Sequence, residues 1–124
     1  MIVGIGLDLQ PVATIAESIQ RQSFLKKVFT PAEIQLCQRQ PRRMAEHFAG
    51  KYAAKEAYMK AIGAGIRQGV WFTHIEILNR ETGAPYVVTH QAAKSLTDDL
   101  GVQTTHITIS HTSDVAVGLI ILEK

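Results

Sequence analysis

The sequence predicts one compact α+β domain over residues 1–124, with an antiparallel sheet packed against one long helix and several short helices. A length of 124 residues is typical of a single domain. The chain opens on a stretch with the period of two that strands show, continues with helical patterns, and returns to a period of two in its second half. No internal repeat, low-complexity tract or linker divides it.

The first nine residues form the first predicted strand. Its apolar residues alternate with Gly4, Gly6 and Asp8, which indicates a buried strand whose second face carries two glycines and a carboxylate. Glycine inside a strand marks close approach by another backbone or by a ligand. We therefore expect this strand to lie directly against another element.

Two short helices are expected next. Pro11 suits the first position of a helix, and an apolar stripe of Val12, Ile15, Ala16 and Ile19 follows it. The segment 30–33 has the form of a capping box with proline at the first helical position, so a second helix begins there and runs to about Arg39. Further signals predict a long helix from about Arg42 to Gly63 or Gly65, strands over 71–78 and 85–89, a short helix after Thr89 that Gly101 stops, and a final hairpin with its bend at 112–114.

The long helix carries an unusual mixture of charges. At 3.6 residues per turn, Glu56 and Lys60 share one face and Tyr52 lies a turn behind them. Lys51 and Lys55 project together from a neighbouring face. Three lysines around one glutamate exceed what packing requires. They suit a site that holds a metal ion and a polyphosphate.

Composition describes an ordinary water-soluble globule, with 46% hydrophobic and 19% charged residues. No apolar run approaches the roughly 20 residues of a membrane helix, and no cleavable leader is recognisable. The single cysteine, Cys37, cannot form an intrachain disulfide and has no histidine beside it, so it is expected to be inert on an exposed helix. The cytoplasm is the expected compartment.

Basic residues are concentrated in one segment. Between Arg21 and Lys60 there are nine basic and three acidic residues, whereas the rest of the chain has four basic and eight acidic ones. This distribution suggests an anionic partner on one side of the molecule. A solvated helical surface is the alternative explanation, and for any single lysine it is the better one.

Two carboxylates are the candidates for chemistry. Asp8 is costly to bury on an apolar strand unless something positive compensates it, so it either caps the next helix, pairs with a lysine or binds a metal. Glu56 is flanked by alanines that permit a close approach to the glycines of the first strand. That packing would bring Glu56 toward Asp8, although a surface ion pair with Lys60 is the simpler explanation of Glu56. Two carboxylates, with water and substrate phosphate completing the shell, are the usual manner of holding Mg²⁺.

Three blocks of the chain resemble the holo-[acyl-carrier-protein] synthases, the small bacterial type of 4′-phosphopantetheinyl transferase. They are residues 4–8, 48–65 and 109–112, the last followed by an apolar strand, and their order and separation fit this family over essentially the whole chain. The block 48–65 is the specific one. The resemblance implies the 4′-phosphopantetheinyl transferase fold and a homotrimer with sites at the subunit boundaries.

The resemblance also implies an activity. Such enzymes move the phosphopantetheine arm of coenzyme A onto a serine of an apo-acyl carrier protein, an acidic partner, and release adenosine 3′,5′-bisphosphate in support of fatty acid biosynthesis. Asp8 and Glu56 would be the Mg²⁺ ligands, and Lys60 would contact the diphosphate. The serine would lose its proton to Asp8 through a water, with Glu56 as the second choice. The residues expected to bind the coenzyme are Lys51, Lys60, Gly63, Gly65, Pro85, His111 and Thr112, some of them supplied by a neighbouring subunit.

One departure from the family concerns the carrier. Where the family commonly has an arginine six residues after the metal-binding aspartate, this chain has Thr14. Docking of an acidic carrier would then rely on Arg21, Lys26 or Lys27. Neither nucleic acid nor a membrane is expected as a partner.

Two other functions share some of these features. A magnesium-dependent hydrolase of a nucleotide diphosphate would use the same pair of carboxylates. A non-catalytic trimer that binds carrier proteins through its basic face would have no use for a metal site. The Asp8–Glu56 pair favours an enzyme.

Overall fold

The computed structural model describes all 124 residues and confirms the predicted α+β fold. Short 3₁₀ turns at Pro41–Arg43, Ile66–Gln68 and Phe72–His74 join some of its elements. The strands and α-helices are, in chain order, β1 (Ile2–Pro11), α1 (Val12–Ser18), α2 (Gln22–Val28), α3 (Pro31–Gln38), α4 (Met44–Ile62), β2 (Ile75–Asn79), β3 (Pro85–Thr89), α5 (Gln91–Asp99), β4 (Thr104–His111) and β5 (Val115–Glu123). No helix is both long enough and apolar enough to cross a membrane.

The strands form two antiparallel sheets, where the sequence predicted one. A three-stranded sheet has the order β1-β5-β4, and β2 pairs only with β3. Helix α4 packs on one face of the larger sheet, mainly against β1 and β5. The hairpin of β4 and β5 closes where it was predicted, with its bend after His111.

Glycines let α4 approach the sheet backbone to backbone. A Cβ atom placed on Gly6 would lie 1.7 Å from the Ala57 carbonyl oxygen, and one on Gly4 would lie 2.1 Å from that of Ala61. On β5, a Cβ on Gly118 would lie 2.5 Å from the Ala54 nitrogen. The close approach expected from the glycines is therefore present, and the partner is the helix that carries Glu56.

The apolar side of β1 is not buried, which corrects the prediction of a buried strand. Ile5, Leu7 and Leu9 are 59%, 54% and 62% exposed. Successive side chains of a strand point to opposite faces, so the glycine face that accepts α4 forces the apolar residues outward. In the sheet register these three residues lie beside Ile121, Leu119 and Val117 of β5, which extend the same outer apolar face.

Several element boundaries differ from prediction. Helix α1 begins at Val12, because Pro11 still has extended backbone and ends β1. Helix α2 was not predicted, and no side chain caps its first turn, so the sequence gives no start signal. The predicted strand 71–78 begins only at Ile75, after a 3₁₀ turn, and α5 begins after His90. The capping box at Thr30 and the end of α4 at Gly63, with φ of 71°, are as predicted.

Candidate active site

Asp8 and Lys60 form an ion pair between β1 and the last turn of α4. Asp8 lies on the inner face of β1, opposite Gly118 of β5. The Lys60 ammonium donates to Asp8 Oδ1 at 3.1 Å and to the Leu7 carbonyl at 2.9 Å. The Asp8 side chain is 17% exposed and that of Lys60 54%, so the carboxylate is mostly covered while the ammonium still faces solvent. The pairing with a lysine was one of the alternatives drawn from the sequence.

Glu56 lies close enough to Asp8 for the two carboxylates to act on each other. Burial raises the pKa of Glu56, and the negative charge of Asp8 raises it further. The nearby Tyr52 hydroxyl and the charge of Lys60 lower this pKa and so act in the opposite direction. The glycine–alanine contact between β1 and α4 thus brings two like charges together. Their repulsion disfavours the ionised form of the Glu56 carboxyl group.

The donor set of this carboxylate pair fits magnesium. Asp8 and Glu56 offer hard carboxylate oxygens. The structure brings together no group of three or more histidine, cysteine, aspartate or glutamate side chains that could hold a metal ion. Magnesium keeps several waters and is commonly held by one or two carboxylates together with substrate phosphates. Zinc sites instead collect three or four protein ligands, which this chain does not assemble.

A cavity of about 430 Å³ opens beside Glu56 and Lys60. Gly63 and Gly65, predicted to line the pantetheine path, are in its wall together with Phe72. The Gly65 amide donates to Gln68 Oε1 at 2.7 Å, which fixes the loop that follows α4. The residues predicted to hold the metal, the diphosphate and the pantetheine arm thus line one cavity, with one exception. Asp8 does not line this cavity, but it pairs with Lys60, which does.

A second cavity, of about 620 Å³, contains Lys51, Pro85 and His111. The Lys51 ammonium is buried and donates to the Ile77 carbonyl at 2.7 Å and to Asn79 Oδ1 at 2.8 Å. Burial lowers the pKa of Lys51. The two cavities have no lining residue in common. Lys51 and Glu56 are five residues apart on α4, so they point in directions about 140° apart.

Histidines and arginines make this larger cavity a candidate anion site. His111 Nδ1 lies 2.8 Å from Glu46 Oε2, yet the geometry supports no hydrogen bond to that nitrogen. The His47 ring lies 5.9 Å from that of His111. The pKa of His47 is lowered first by burial and then by His111 and Lys51. Arg39 and Arg80 complete the basic lining.

Thr112 stands apart from the other predicted coenzyme residues. It is exposed and does not line the larger cavity, although it follows His111 directly. Its hydroxyl oxygen accepts from the amides of Asp114 and Val115 and thereby holds the β4–β5 turn. A role for Thr112 toward a phosphate remains a prediction.

Lys55 is not part of any phosphate site, which corrects the interpretation of three lysines around one glutamate. Its ammonium is fully buried and donates to Glu33 Oε1 at 2.8 Å and to the carbonyls of Phe72 and Ile75. The other oxygen of Glu33 accepts from the Ile77 amide at 2.7 Å. This pair ties α3 and α4 to the start of β2, so its role is structural.

One further prediction can be compared with the structure. Cys37 is buried on α3, not exposed as expected. Burial raises its pKa to about 12, so the thiol stays protonated and inert.

Three residues of the larger cavity, His47, Glu46 and Arg39, were not predicted from the sequence. His47 precedes Lys51 by four residues, and this one-turn spacing would have placed it on the same face of α4.

Comparison with known proteins identifies the class of protein. A model of the 4′-phosphopantetheinyl transferase superfamily matches residues 4–119. The chain therefore belongs to this superfamily of transferases.

Curated relatives and solved structures place it within that superfamily. A holo-[acyl-carrier-protein] synthase of Koribacter versatilis is 44% identical over 99% of both chains, and one of Solibacter usitatus is 41% identical over the full length of both. A crystal structure of a holo-(acyl-carrier-protein) synthase from Bacillus anthracis in complex with CoA (3′,5′-ADP) is 33% identical, with a TM-score of 0.81 over 98% of this chain and 96% of that one. The enzyme of Neisseria meningitidis superposes with a TM-score of 0.88 at 28% identity over both full lengths. The chain is thus an enzyme of the holo-[acyl-carrier-protein] synthase type.

Proposed function

We propose that this protein transfers the 4′-phosphopantetheine group of coenzyme A to a serine of an apo-acyl carrier protein in a magnesium-dependent reaction, in support of fatty acid biosynthesis. The observation that carries the proposal is the meeting of Asp8, Glu56 and Lys60 at one end of the β1–α4 contact. The solved structures of similar proteins from Bacillus anthracis and Helicobacter pylori are described as complexes with coenzyme A, which supports the same co-substrate here.

The reaction replaces one phosphorus–oxygen bond by another. The serine oxygen bonds to the phosphorus that carries the pantetheine arm, and the bond from that phosphorus to the bridging diphosphate oxygen breaks. The bridging oxygen leaves with the electron pair as part of adenosine 3′,5′-bisphosphate. Such transfers need positioning and charge neutralisation more than covalent help from the protein.

Each charged residue then has a role. Asp8 and Glu56 would hold Mg²⁺, which supplies the positive charge that draws electrons from the diphosphate when it is bound. Lys60 lies beside the same carboxylates and would neutralise the leaving oxygens, to which it can also donate a proton. Asp8 would accept the serine proton through a water, and Glu56 is the second candidate for this base.

We propose further that the complete site needs a second copy of the chain. The cavity with Glu56 and Lys60 and the cavity with Lys51 and His111 are separate in one protomer. A coenzyme that uses both sets of residues would therefore take them from two protomers. The exposed apolar face of Ile5, Leu7 and Leu9 offers a surface for such an assembly, and a homotrimer fits the family.

Carrier docking would use the basic residues of α2 and of the position before it. Arg21, Lys26 and Lys27 are exposed on and before α2, and Thr14 is exposed on α1. Cationic side chains on this surface would steer an acidic carrier to it.

The experiment mixes the protein with coenzyme A, Mg²⁺ and apo-acyl carrier protein and weighs the carrier by mass spectrometry. We expect a mass gain of one phosphopantetheine group, and we expect Asp8→Asn and Glu56→Gln to abolish it while their circular dichroism spectra stay unchanged. Release of adenosine 3′,5′-bisphosphate without any modified carrier would instead indicate a hydrolase. Full transfer by either variant would contradict the proposed roles of the two carboxylates.

A further inference from the structure

We propose that Asn79 is a positioning residue for the coenzyme, because its side-chain amide connects the buried Lys51 to the β2–β3 loop and so fixes one wall of the larger cavity. This inference rests on the proposed function, since it needs the adenosine half of coenzyme A to lie in that cavity. Asn79 ends β2 and is exposed, and it pairs in the sheet register with Pro85, a predicted coenzyme residue that begins β3.

Lys51 is the fixed end of this connection. It lies on α4 and is only 5% exposed. Its ammonium donates to the Ile77 carbonyl at 2.7 Å and to Asn79 Oδ1 at 2.8 Å. An ammonium has three donors, so these two contacts leave at most one for a bound anion. Most of the hydrogen-bonding capacity of Lys51 is therefore directed at the end of β2.

The Asn79 amide makes a second contact, across the loop. Its Nδ2 donates to the Gly83 carbonyl at 2.9 Å. Because the Lys51 ammonium only donates and the Gly83 carbonyl only accepts, a side chain between them needs an acceptor and a donor side by side. An aspartate would lack the donor, and a leucine of similar shape would lack both. The chemistry of these two neighbours thus specifies an amide at position 79.

The loop closed in this way is a wall of the larger cavity. Within it, the Arg80 amide donates to the Ala84 carbonyl and the Gly83 amide donates to the Arg80 carbonyl, each at 2.8 Å. The guanidinium of Arg80 lies 4.9 Å from the centre of the Tyr86 ring. The position of the loop therefore sets the width of the cavity and the place of its arginine. The lining residues that this segment supplies are Asn79, Arg80, Glu81, Gly83 and Pro85.

Charge indicates which half of the coenzyme this wall would contact. Five arginine, lysine or histidine side chains and only two carboxylates line the larger cavity, whereas Gly63 and Gly65 line the smaller one. The phosphate groups of adenosine 3′,5′-bisphosphate suit the basic lining. Loss of the Asn79 amide would release the loop from Lys51. It should therefore weaken binding of this half and leave the carboxylates of the other cavity in place.

The test compares Asn79→Ala with the wild type. Isothermal titration calorimetry measures binding of adenosine 3′,5′-bisphosphate, and the rate of carrier modification gives kcat and the KM for coenzyme A. A hydrogen bond to a charged group is worth about tenfold or more in an equilibrium constant, so we expect about 10-fold weaker binding and an about 10-fold higher KM. We expect kcat to change less than about twofold, because Asp8 and Glu56 keep their positions.

Tyr58→Phe is the matched control. It removes a buried hydrogen bond between α4 and Thr97 of α5, at a residue that lines neither cavity. We expect binding of adenosine 3′,5′-bisphosphate, KM and kcat to be unchanged in this variant.

A double variant tests the connection to Lys51. If Asn79 acts through Lys51, then Lys51→Met already releases the amide, and adding Asn79→Ala should weaken binding of adenosine 3′,5′-bisphosphate by much less than tenfold. Fold-changes of the two substitutions that simply multiply would show that Asn79 acts without Lys51, and would overturn the connection.

The remaining outcomes separate the two proposals. Wild-type binding and KM in Asn79→Ala, or an equal rise of KM in Tyr58→Phe, would overturn the positioning role while the transferase proposal stands. A fall of kcat at unchanged KM would overturn it too, because the loss would then lie in the chemical step. Failure of the wild type to modify any carrier would refute the proposed function, and this inference with it.

Discussion

Replacing Gly6 by alanine tests whether the contact between β1 and α4 sets the distance between Asp8 and Glu56. The added Cβ would lie 1.7 Å from the Ala57 carbonyl oxygen, whereas ordinary contacts begin at 3.4 Å. The obstacle is helix backbone, which cannot rotate away as a side chain can. Strand and helix would therefore have to separate by well over an ångström at a point two residues from Asp8 and one residue from Glu56.

The size of the effect follows from that displacement. Overpacking a core typically costs about 1–3 kcal/mol, and a clash with backbone belongs at the upper end, so we expect Gly6→Ala to lose about 3 kcal/mol of unfolding free energy. Misplacement of catalytic groups by about 1 Å can cost about 100-fold in rate. We expect a loss of transfer rate of that order in the variant that still folds.

The assay compares Gly6→Ala with Gly4→Ala by urea unfolding and by the rate of carrier modification. The Gly4 variant places its Cβ 2.1 Å from the Ala61 carbonyl oxygen, a similar clash farther from the carboxylates. Both variants should lose similar stability, and Gly6→Ala should lose more activity. Wild-type stability and rate in Gly6→Ala, or equal activity losses in the two variants, would refute the reasoning.

Two further predictions concern Glu56 and Lys55. Because burial and Asp8 raise the pKa of Glu56, its ionised form destabilises the fold above that pKa. Glu56→Gln should therefore melt at or above the wild-type temperature at pH 7, and the difference should close as the pH falls through the raised pKa; a lower melting temperature at pH 7 would contradict this. Lys55→Met leaves the Glu33 carboxylate buried without its cation and should cost about 3–5 kcal/mol in urea unfolding. Adding Glu33→Gln should recover part of that loss, and a double variant no more stable than Lys55→Met would count against the buried pair.

Much of the fold was predictable because local signals agree with it. The capping box at Thr30, the glycine at the end of α4 and the alternation of β4 and β5 each act within a few residues, so the sequence alone identifies them. Helix α2 has no such signal and depends on packing of Leu25 and Val28 into the core. The direction in which β1 faces could not be predicted, because its apolar side chains would suit a core or an interface between copies equally well.

The candidate site, too, has parts that local sequence signals predict and parts that depend on long-range contacts. The glycines of β1 and the alanines of α4 predict their own close contact, and through it the approach of Asp8 to Glu56. Helix geometry alone could not predict whether each lysine is buried or which groups it contacts. Lys55 can be buried because Glu33 of α3 pairs with its ammonium, and Lys51 donates a hydrogen bond to the Ile77 carbonyl of β2. Both positions therefore depend on contacts between residues far apart in sequence.

The most direct measurement is a crystal of the protein grown with Mn²⁺ and coenzyme A, with data collected at a wavelength where manganese scatters anomalously. We predict one strong peak in direct contact with an oxygen of Asp8, an oxygen of Glu56 and the diphosphate. A manganese ion bound to the coenzyme phosphates with neither carboxylate in its coordination shell would contradict the central claim.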